Sequence, residues 1–179
     1  DTADIRCTNP SCPAQVKRTI SYFVSRDAMN MEGFGPAAIE ALISEGYIKR
    51  IPDIYRLAEH RERLIEEGIV GKEKSVDNIL NAVESSKSNS MDRLITGLGI
   101  RNVGKQSAKV LAARFAGMQE LMDASPEDLQ ELPDFGEVVA ADITAYFAKP
   151  ENRQMIDELE SLGVNTRSRA ASSSIDDRF

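Results

Sequence analysis

The feature that most constrains the fold of this chain is a tight turn that recurs four times at nearly regular intervals. The turns fall at Gly35, near Lys72, at Gly104 and at Gly136, so the gaps are 37, 32 and 32 residues. Apolar residues at helical spacing flank each turn. A period of this length indicates one supersecondary unit used repeatedly, because a single unit cannot bury its apolar face alone. The sequence therefore predicts an all-α fold of four packed helix–turn–helix units.

The third turn has the clearest local pattern. A short apolar segment ends at Gly99, and a second segment beyond Gly104 carries Ala108, Leu111, Ala112 and Phe115, the spacing of one buried helix face. We expect Gly104 to let the backbone turn sharply and to let another molecule approach the main chain. The amides of Gly104, Lys105 and Gln106 would be unpaired first-turn donors at the positive end of a helix dipole, which favours phosphate.

Charge supports this interpretation of the third turn, since the segment from Arg93 to Arg114 has five basic residues and no acidic one. The pattern resembles the helix-hairpin-helix motif, which grips a nucleic-acid backbone without reading bases. The second turn is basic, the first has mixed charge, and the fourth lies among eight acids between Glu120 and Asp142, so we expect the fourth unit to serve mainly in packing. The predicted DNA-contacting residues are Arg26, Gly33, Phe34, Gly35, Gly71, Lys72, Lys74, Arg101, Asn102, Val103, Gly104, Lys105 and Lys109.

Composition limits how DNA could be bound. The 179 residues carry a net charge of −7, which is not the overall signature of a nucleic-acid binder, so binding would have to come from local patches and backbone donors. Aromatic residues make up 6% and tryptophan is absent, which suits a core of packed aliphatic helices. We find no signal peptide, lipidation motif or run of 18 apolar residues, and we therefore expect a cytoplasmic protein that does not enter membranes.

Cys7 and Cys12 are the two cysteines of the chain, and in a cytosolic protein such a pair favours metal binding over a disulfide. A structural zinc site needs four ligands, and the distant His60 cannot complete one. Two interpretations remain open at this point. The cysteines are either a pair of surface thiols or the second half of a four-cysteine finger whose first half lies upstream.

Several motifs in order identify a family. The segment from Arg6 to Gln15 resembles the second half of the zinc finger of bacterial NAD-dependent DNA ligases, and the resemblance covers about residues 5–166. The segments that carry the rest of it are Phe23–Gly35, Lys74–Leu80, Leu98–Gly104 and Asn152. The resemblance implies the non-catalytic part of such a ligase that clamps nicked double-stranded DNA, for phosphodiester bond formation in replication and repair.

The resemblance also implies a domain organisation: residues 1–24 as half a zinc finger with a connecting helix, 25–165 as the helix-hairpin-helix domain, and 166–179 as a linker. The four motifs would lie near 31–43, 68–83, 98–115 and 130–147. A nucleotidyl-transfer domain is implied before Asp1 and a BRCT domain after Phe179. Zinc would be held here by a half-site only, Cys7 and Cys12, while NAD and magnesium would belong to the parent enzyme.

Two departures from the family pattern bear on function. The second turn has Val70, Gly71 and Lys72 where the family usually has Gly-x-Gly, so its share of DNA contact is open. The family's Lys-x-Asp-Gly, whose lysine takes the AMP, is absent, and we expect this chain alone to be inactive. The alternatives are a tandem helix-hairpin-helix module of another DNA-repair protein and a helical protein-interaction module.

Overall fold

The computed structural model describes residues 13–168. In that part of the chain every secondary-structure element longer than a single bridge is a helix. Two isolated β-bridges, Ile69 with Gly71 and Gly117 with Arg167, are the only strand-like pairings there. The predicted all-α fold is therefore confirmed. The helices are α1 (Pro13–Val24), α2 (Pro36–Ser44), a 3-10 helix (Ile51–His60), α3 (Arg61–Glu67), α4 (Glu73–Ser86), α5 (Met91–Leu98), α6 (Lys105–Arg114), α7 (Met118–Met122), α8 (Pro126–Gln130), α9 (Glu137–Ala148) and α10 (Pro150–Ser161).

The four predicted turns lie before α2, α4, α6 and α9, and their backbones follow related paths. Three of them contain two residues of left-handed φ that are three positions apart: Asn30 and Gly33, Gly68 and Gly71, and Gly99 and Asn102. The turn before α9 has one such residue, Asp134, with φ of 64°. Left-handed φ favours Gly and Asn over other residues, which explains why these two residue types occupy most of these positions.

Helix α1 belongs to the same core as the units that follow it. Its buried face carries Val16, Ile20 and Phe23, and it packs against α2 and α5. The approach to α5 is close, because a Cβ built on Gly97 would lie 3.0 Å from Cδ1 of Phe23. Glycine at this position thus lets the two helix axes come together.

Residues 51–67 form two consecutive helices of different winding. A 3-10 helix spans Ile51–His60, and α3 continues from Arg61. The carboxylate of Asp53 accepts from the amides of Lys49 and Arg50 and pairs with Arg56 three residues on, at 3.2 Å. Pairs at i and i+3 eclipse in a 3-10 helix, so this ion pair is compatible with the tighter winding.

The last described residues close the fold onto its first half. The Glu158 carboxylate of α10 accepts from Arg50 at 2.7 Å and from Arg56 at 2.8 Å. The Asn165 amide donates to the Lys87 carbonyl at 2.8 Å. Main-chain bonds from Met118 and Ser168 tie the segment 166–168 to the residues around Gly117, so packing extends three residues into the segment expected to be a linker.

Candidate nucleic-acid interface

The third turn exposes the N-terminus of α6. The amide of Val103 donates to the Ile100 carbonyl at 3.0 Å, and both side chains are buried, which fixes the turn on the core. The Ala108 amide donates to the Gly104 carbonyl at 2.9 Å. The amides of the three residues before Ala108 are first-turn donors, and α6 has neither an acid in its first turn nor a side-chain cap. This end of α6 is open to an external acceptor.

Gly104 does not make the sharp turn, which corrects our expectation. Its φ is −100° and its ψ is −160°, an extended conformation open to any residue, and the left-handed φ falls instead on Asn102, at 65°. A Cβ built on Gly104 would meet nothing within 4 Å. Nothing within the described fold requires glycine there, and the absence of a side chain leaves open space in front of the amides.

Two acids from other units touch the third turn. The Asn102 side-chain amide donates to Oδ2 of Asp142 in α9 at 2.6 Å. Nζ of Lys105 lies 3.5 Å from Oδ1 of Asp27, in the loop after α1. Arg101 and Lys109 are exposed. The sequence reasoning missed these acids because they lie 40 and 78 residues away along the chain.

The first turn has the same open glycine but a buried tip. Gly35 precedes α2 with φ of −78° and an unobstructed Cβ direction, and Pro36 occupies the start of α2, where its missing N–H costs nothing. Phe34, one of the predicted DNA-contacting residues, is 6% exposed: its side chain packs in the core, and only its main chain is available to a ligand. Val103 in the third turn is buried in the same way. Gly33 is exposed and adopts φ of 90°.

Arg26 is exposed beside the first turn, and its carbonyl accepts from the Arg93 guanidinium at 3.0 Å. The same guanidinium donates to the Ala28 carbonyl at 2.8 Å. Arg93 of α5 therefore fixes the loop after α1 and the third unit against each other. The sequence reasoning counted Arg93 only as part of a basic segment.

The second turn differs most from the others. Helix α4 begins at Glu73 after Lys72, so Ser75, a residue type common at helix caps, lies inside the helix instead. Gly71 has φ of 113°, and a Cβ there would lie 2.7 Å from the Ser75 side chain. Lys72 and Lys74 are exposed, but Glu73 places a carboxylate in the first turn of α4. The surroundings of this turn are therefore less favourable to an anion than those of the third.

From Leu132 to Gly136 the fourth turn repeats the backbone that the third turn has from Ile100 to Gly104, with opposite charge. Gly136 has φ of −88° and open space around its Cβ direction, and Asp134 stands where the third turn has Asn102. Glu137 lies in the first turn of α9, and the Val138 side chain is 67% exposed. The acids make this turn unfavourable for phosphate.

The described residues contain neither a cluster of metal-ligating side chains nor a helix that could span a membrane. Cys7 and Cys12 lie outside them, and within residues 13–168 no three His, Cys, Asp or Glu side chains are grouped as metal ligands. No helix in that range has both the length and the apolar character needed to cross a bilayer.

Known proteins are similar to this chain at two levels: a motif model matches the region of the third and fourth units, and whole-chain relatives cover all or most of the sequence. A family model described as the helix-hairpin-helix motif matches residues 93–156. The chain is 55% identical over 179 residues to a DNA ligase of Clostridium kluyveri, covering all of this chain and 27% of that protein. It is 45% identical to a DNA ligase of Acetivibrio thermocellus, with 99% and 26% covered, and 47% identical to that of Carboxydothermus hydrogenoformans, with 90% and 24% covered.

The chain thus spans about a quarter of the length of the relatives it matches. The resemblance to bacterial DNA ligases drawn from the sequence motifs is confirmed, and the match to the motif model confirms that the chain carries a helix-hairpin-helix motif.

Proposed function

We propose, for a chain homologous over its whole length to one segment of bacterial DNA ligases, that it is the non-catalytic part that grips the sugar–phosphate backbone of nicked duplex DNA. The observation that carries this proposal is the N-terminus of α6, which has no side-chain cap and no acid in its own first turn, behind an unobstructed Gly104. A DNA phosphate accepts hydrogen bonds from the first-turn amides, and Lys105 and Lys109 add positive charge beside it.

Contacts of this kind position a protein on DNA without reading its sequence. That suits a ligase, whose substrate is defined by a nick. The first turn offers a second set of amides behind Gly35, with Arg26 nearby, and the second turn contributes Lys72 and Lys74. The fourth unit supports the third through the bond between Asn102 and Asp142.

The rest of the parent enzyme is part of the same proposal. We infer an NAD-dependent ligase acting in replication and repair in the cytoplasm, with its nucleotidyl-transfer chemistry, NAD and magnesium in another part of the protein. Cys7 and Cys12 would supply half of a four-cysteine zinc site, and the missing thiolates would come from upstream sequence.

The test is a titration of a nicked duplex with the 179-residue chain at several salt concentrations. Replacing Lys105 and Lys109 with Glu should weaken binding about equally for unrelated DNA sequences, since phosphate contacts carry no base information. The slope of log affinity against log salt should flatten by about 0.9 for each phosphate that the variant no longer neutralises.

The matched control is the Lys49→Glu, Lys149→Glu double variant, which changes net charge equally at two exposed positions in other units. It should lose much less affinity and keep the parental slope. Circular dichroism confirms that each variant is folded. If both double variants lose affinity equally, the third turn is not the grip, and a failure of the parent to bind duplex DNA at low salt would refute the proposed function itself.

A further inference from the structure

Two long segments of this chain contain no acidic residue. Residues 5–26 and 93–119 contain no Asp or Glu, and they are the two longest acid-free segments of the sequence. Together they hold nine of its 22 Lys and Arg residues and none of its 29 acids. In a chain with a net charge of −7, a surface built from these two segments would be its natural polyanion-binding face.

The fold brings the described parts of these segments together. Helix α1 packs along α5, with Phe23 against Gly97, and the Tyr22 ring reaches the start of the third turn. A Cβ built on Gly99 would lie 3.5 Å from Cδ2 of Tyr22. A shallow groove of about 320 Å³ separates Arg18, Thr19 and Tyr22 from residues 97–100.

A cation, an aromatic ring and a second cation follow one another at intervals of four residues along the solvent side of α1 and the turn after it. Arg18 and Tyr22 lie one above the other on α1, and Arg26 follows in the turn beyond Val24. All three are accessible to solvent, and among residues 13–168 only Tyr22, at 43%, and Val138 are exposed large hydrophobic residues. We call Arg18, Tyr22 and Arg26 the α1 stripe.

We propose that the α1 stripe is a second contact surface for the DNA backbone, continuous with the third turn through Gly99. This inference rests on the proposed function and adds Arg18 and Tyr22 to the binding residues. Arg18 and Tyr22, four residues apart on α1, are separated by about 6 Å along the helix axis, so the two side chains can reach neighbouring nucleotides of one strand.

The chemistry of each member fits the backbone of a duplex. Arg18 donates one N–H to Gln15, at 2.6 Å, and a guanidinium has further donors with which to hold a phosphate. The Tyr22 ring beside Gly99 offers an apolar face at the height of the sugars. Asp27 is the acid next to the stripe, and it lies 3.5 Å from Lys105 of the third turn.

Lys17 provides a matched control for Arg18. It is the neighbouring residue on α1, it carries the same charge, and it faces Glu40 of α2 at 3.6 Å. Residues at i and i+1 of a helix do not share a face. Nicked-duplex titrations over a salt series should give a roughly three- to ten-fold loss of affinity for Arg18→Gln, with a slope lower by about 0.9. Lys17→Gln should bind like the parent.

Tyr22 is tested with two substitutions. Tyr22→Phe keeps the ring and should bind like the parent, whereas Tyr22→Ala should lose affinity by about three-fold with an unchanged salt slope, because an apolar contact releases no counterions. Melting curves identify any variant that is unfolded. If Tyr22→Ala is unfolded, the Tyr22→Ser variant, which has a similarly small side chain, takes its place in the titration.

The outcomes separate this inference from the proposed function. If Arg18→Gln and Lys17→Gln bind alike while Lys105→Glu, Lys109→Glu loses binding, the third turn holds DNA and the α1 stripe does not. Equal affinity of Tyr22→Ala and Tyr22→Phe would show that the Tyr22 ring does not contact DNA. If the charge reversals at Lys105 and Lys109 leave binding intact as well, the proposed function fails together with the inference.

Discussion

Replacing Gly104 with Val separates folding from DNA binding. Its φ and ψ are extended, which a β-branched residue adopts readily, and no atom lies within 4 Å of the new Cβ. Val is a poorer N-cap than Gly, and glycine removal lowers the entropy of the unfolded chain, so these opposing effects leave the free energy of unfolding within about 1 kcal/mol of the parent.

Binding should respond very differently to Gly104→Val. An amide holds a phosphate oxygen at about 2.9 Å, and a branched side chain beside the first-turn amides keeps the phosphate farther away. Losing one charge-assisted hydrogen bond costs about 2 kcal/mol, which corresponds to roughly a thirty-fold weaker affinity for nicked duplex. Anisotropy titration measures the affinity and thermal melting measures the stability.

Gly136→Val is the matched control, because the fourth turn has the same backbone and the same open space in acidic surroundings. It should change stability as Gly104→Val does and leave the affinity unchanged. A folded Gly104→Val variant that binds within about three-fold of the parent would refute the argument that an open main chain at this turn holds phosphate.

Four further outcomes are expected. Gly71→Ala should lower the free energy of unfolding by about 1–3 kcal/mol in a denaturant titration, because its φ of 113° is left-handed and its Cβ direction is blocked. Hydrogen bonds from Arg56 and then Arg50 hold the pKa of the Glu158 carboxyl below its ordinary 4.5. Stability from this group is present above that value and is lost as pH falls through the lower pKa of the folded state, so acid titration should destabilise Glu158→Gln less than the parent. Asp27→Asn should tighten DNA binding about two-fold, since it frees Lys105 and removes a nearby negative charge. Elemental analysis should find well under one zinc per purified chain, because two cysteines are half of a tetrahedral site.

The helical fold and the positions of the turns follow from the sequence, because helical periodicity and turn residues are local signals. Ile100 and Val103 show how the apolar positions of a turn fix it on the core. The spacing of the glycines also located the open N-termini of α2 and α6. The sequence did not reveal which residue bears the left-handed φ, since Asn102 takes it although Gly104 is the more permissive residue.

The side-chain environment of the third turn could not be predicted. A count of charges along the chain made this turn acid-free, yet Asp27 and Asp142 reach it from other units. The burial of Phe34 is a second such case, since whether an aromatic ring at a turn faces solvent or core depends on which helices pack beneath it. Long-range packing determines both which acids reach the third turn and whether Phe34 is buried. The periodicity of the sequence carries no information about such packing.

The closure of α10 onto the first half of the chain has a consequence for folding order. Glu158 meets Arg56 across 102 residues, and Asn165 bonds to the loop after α4, so the native contacts of the early units are complete only when the last described residues arrive. A repeat array that contacts only its neighbours can unravel from its ends. Here the C-terminal part of the described chain is tied to residues 50–89, so unfolding should proceed as one cooperative transition, and the folding rate should be limited by long-range loop closure.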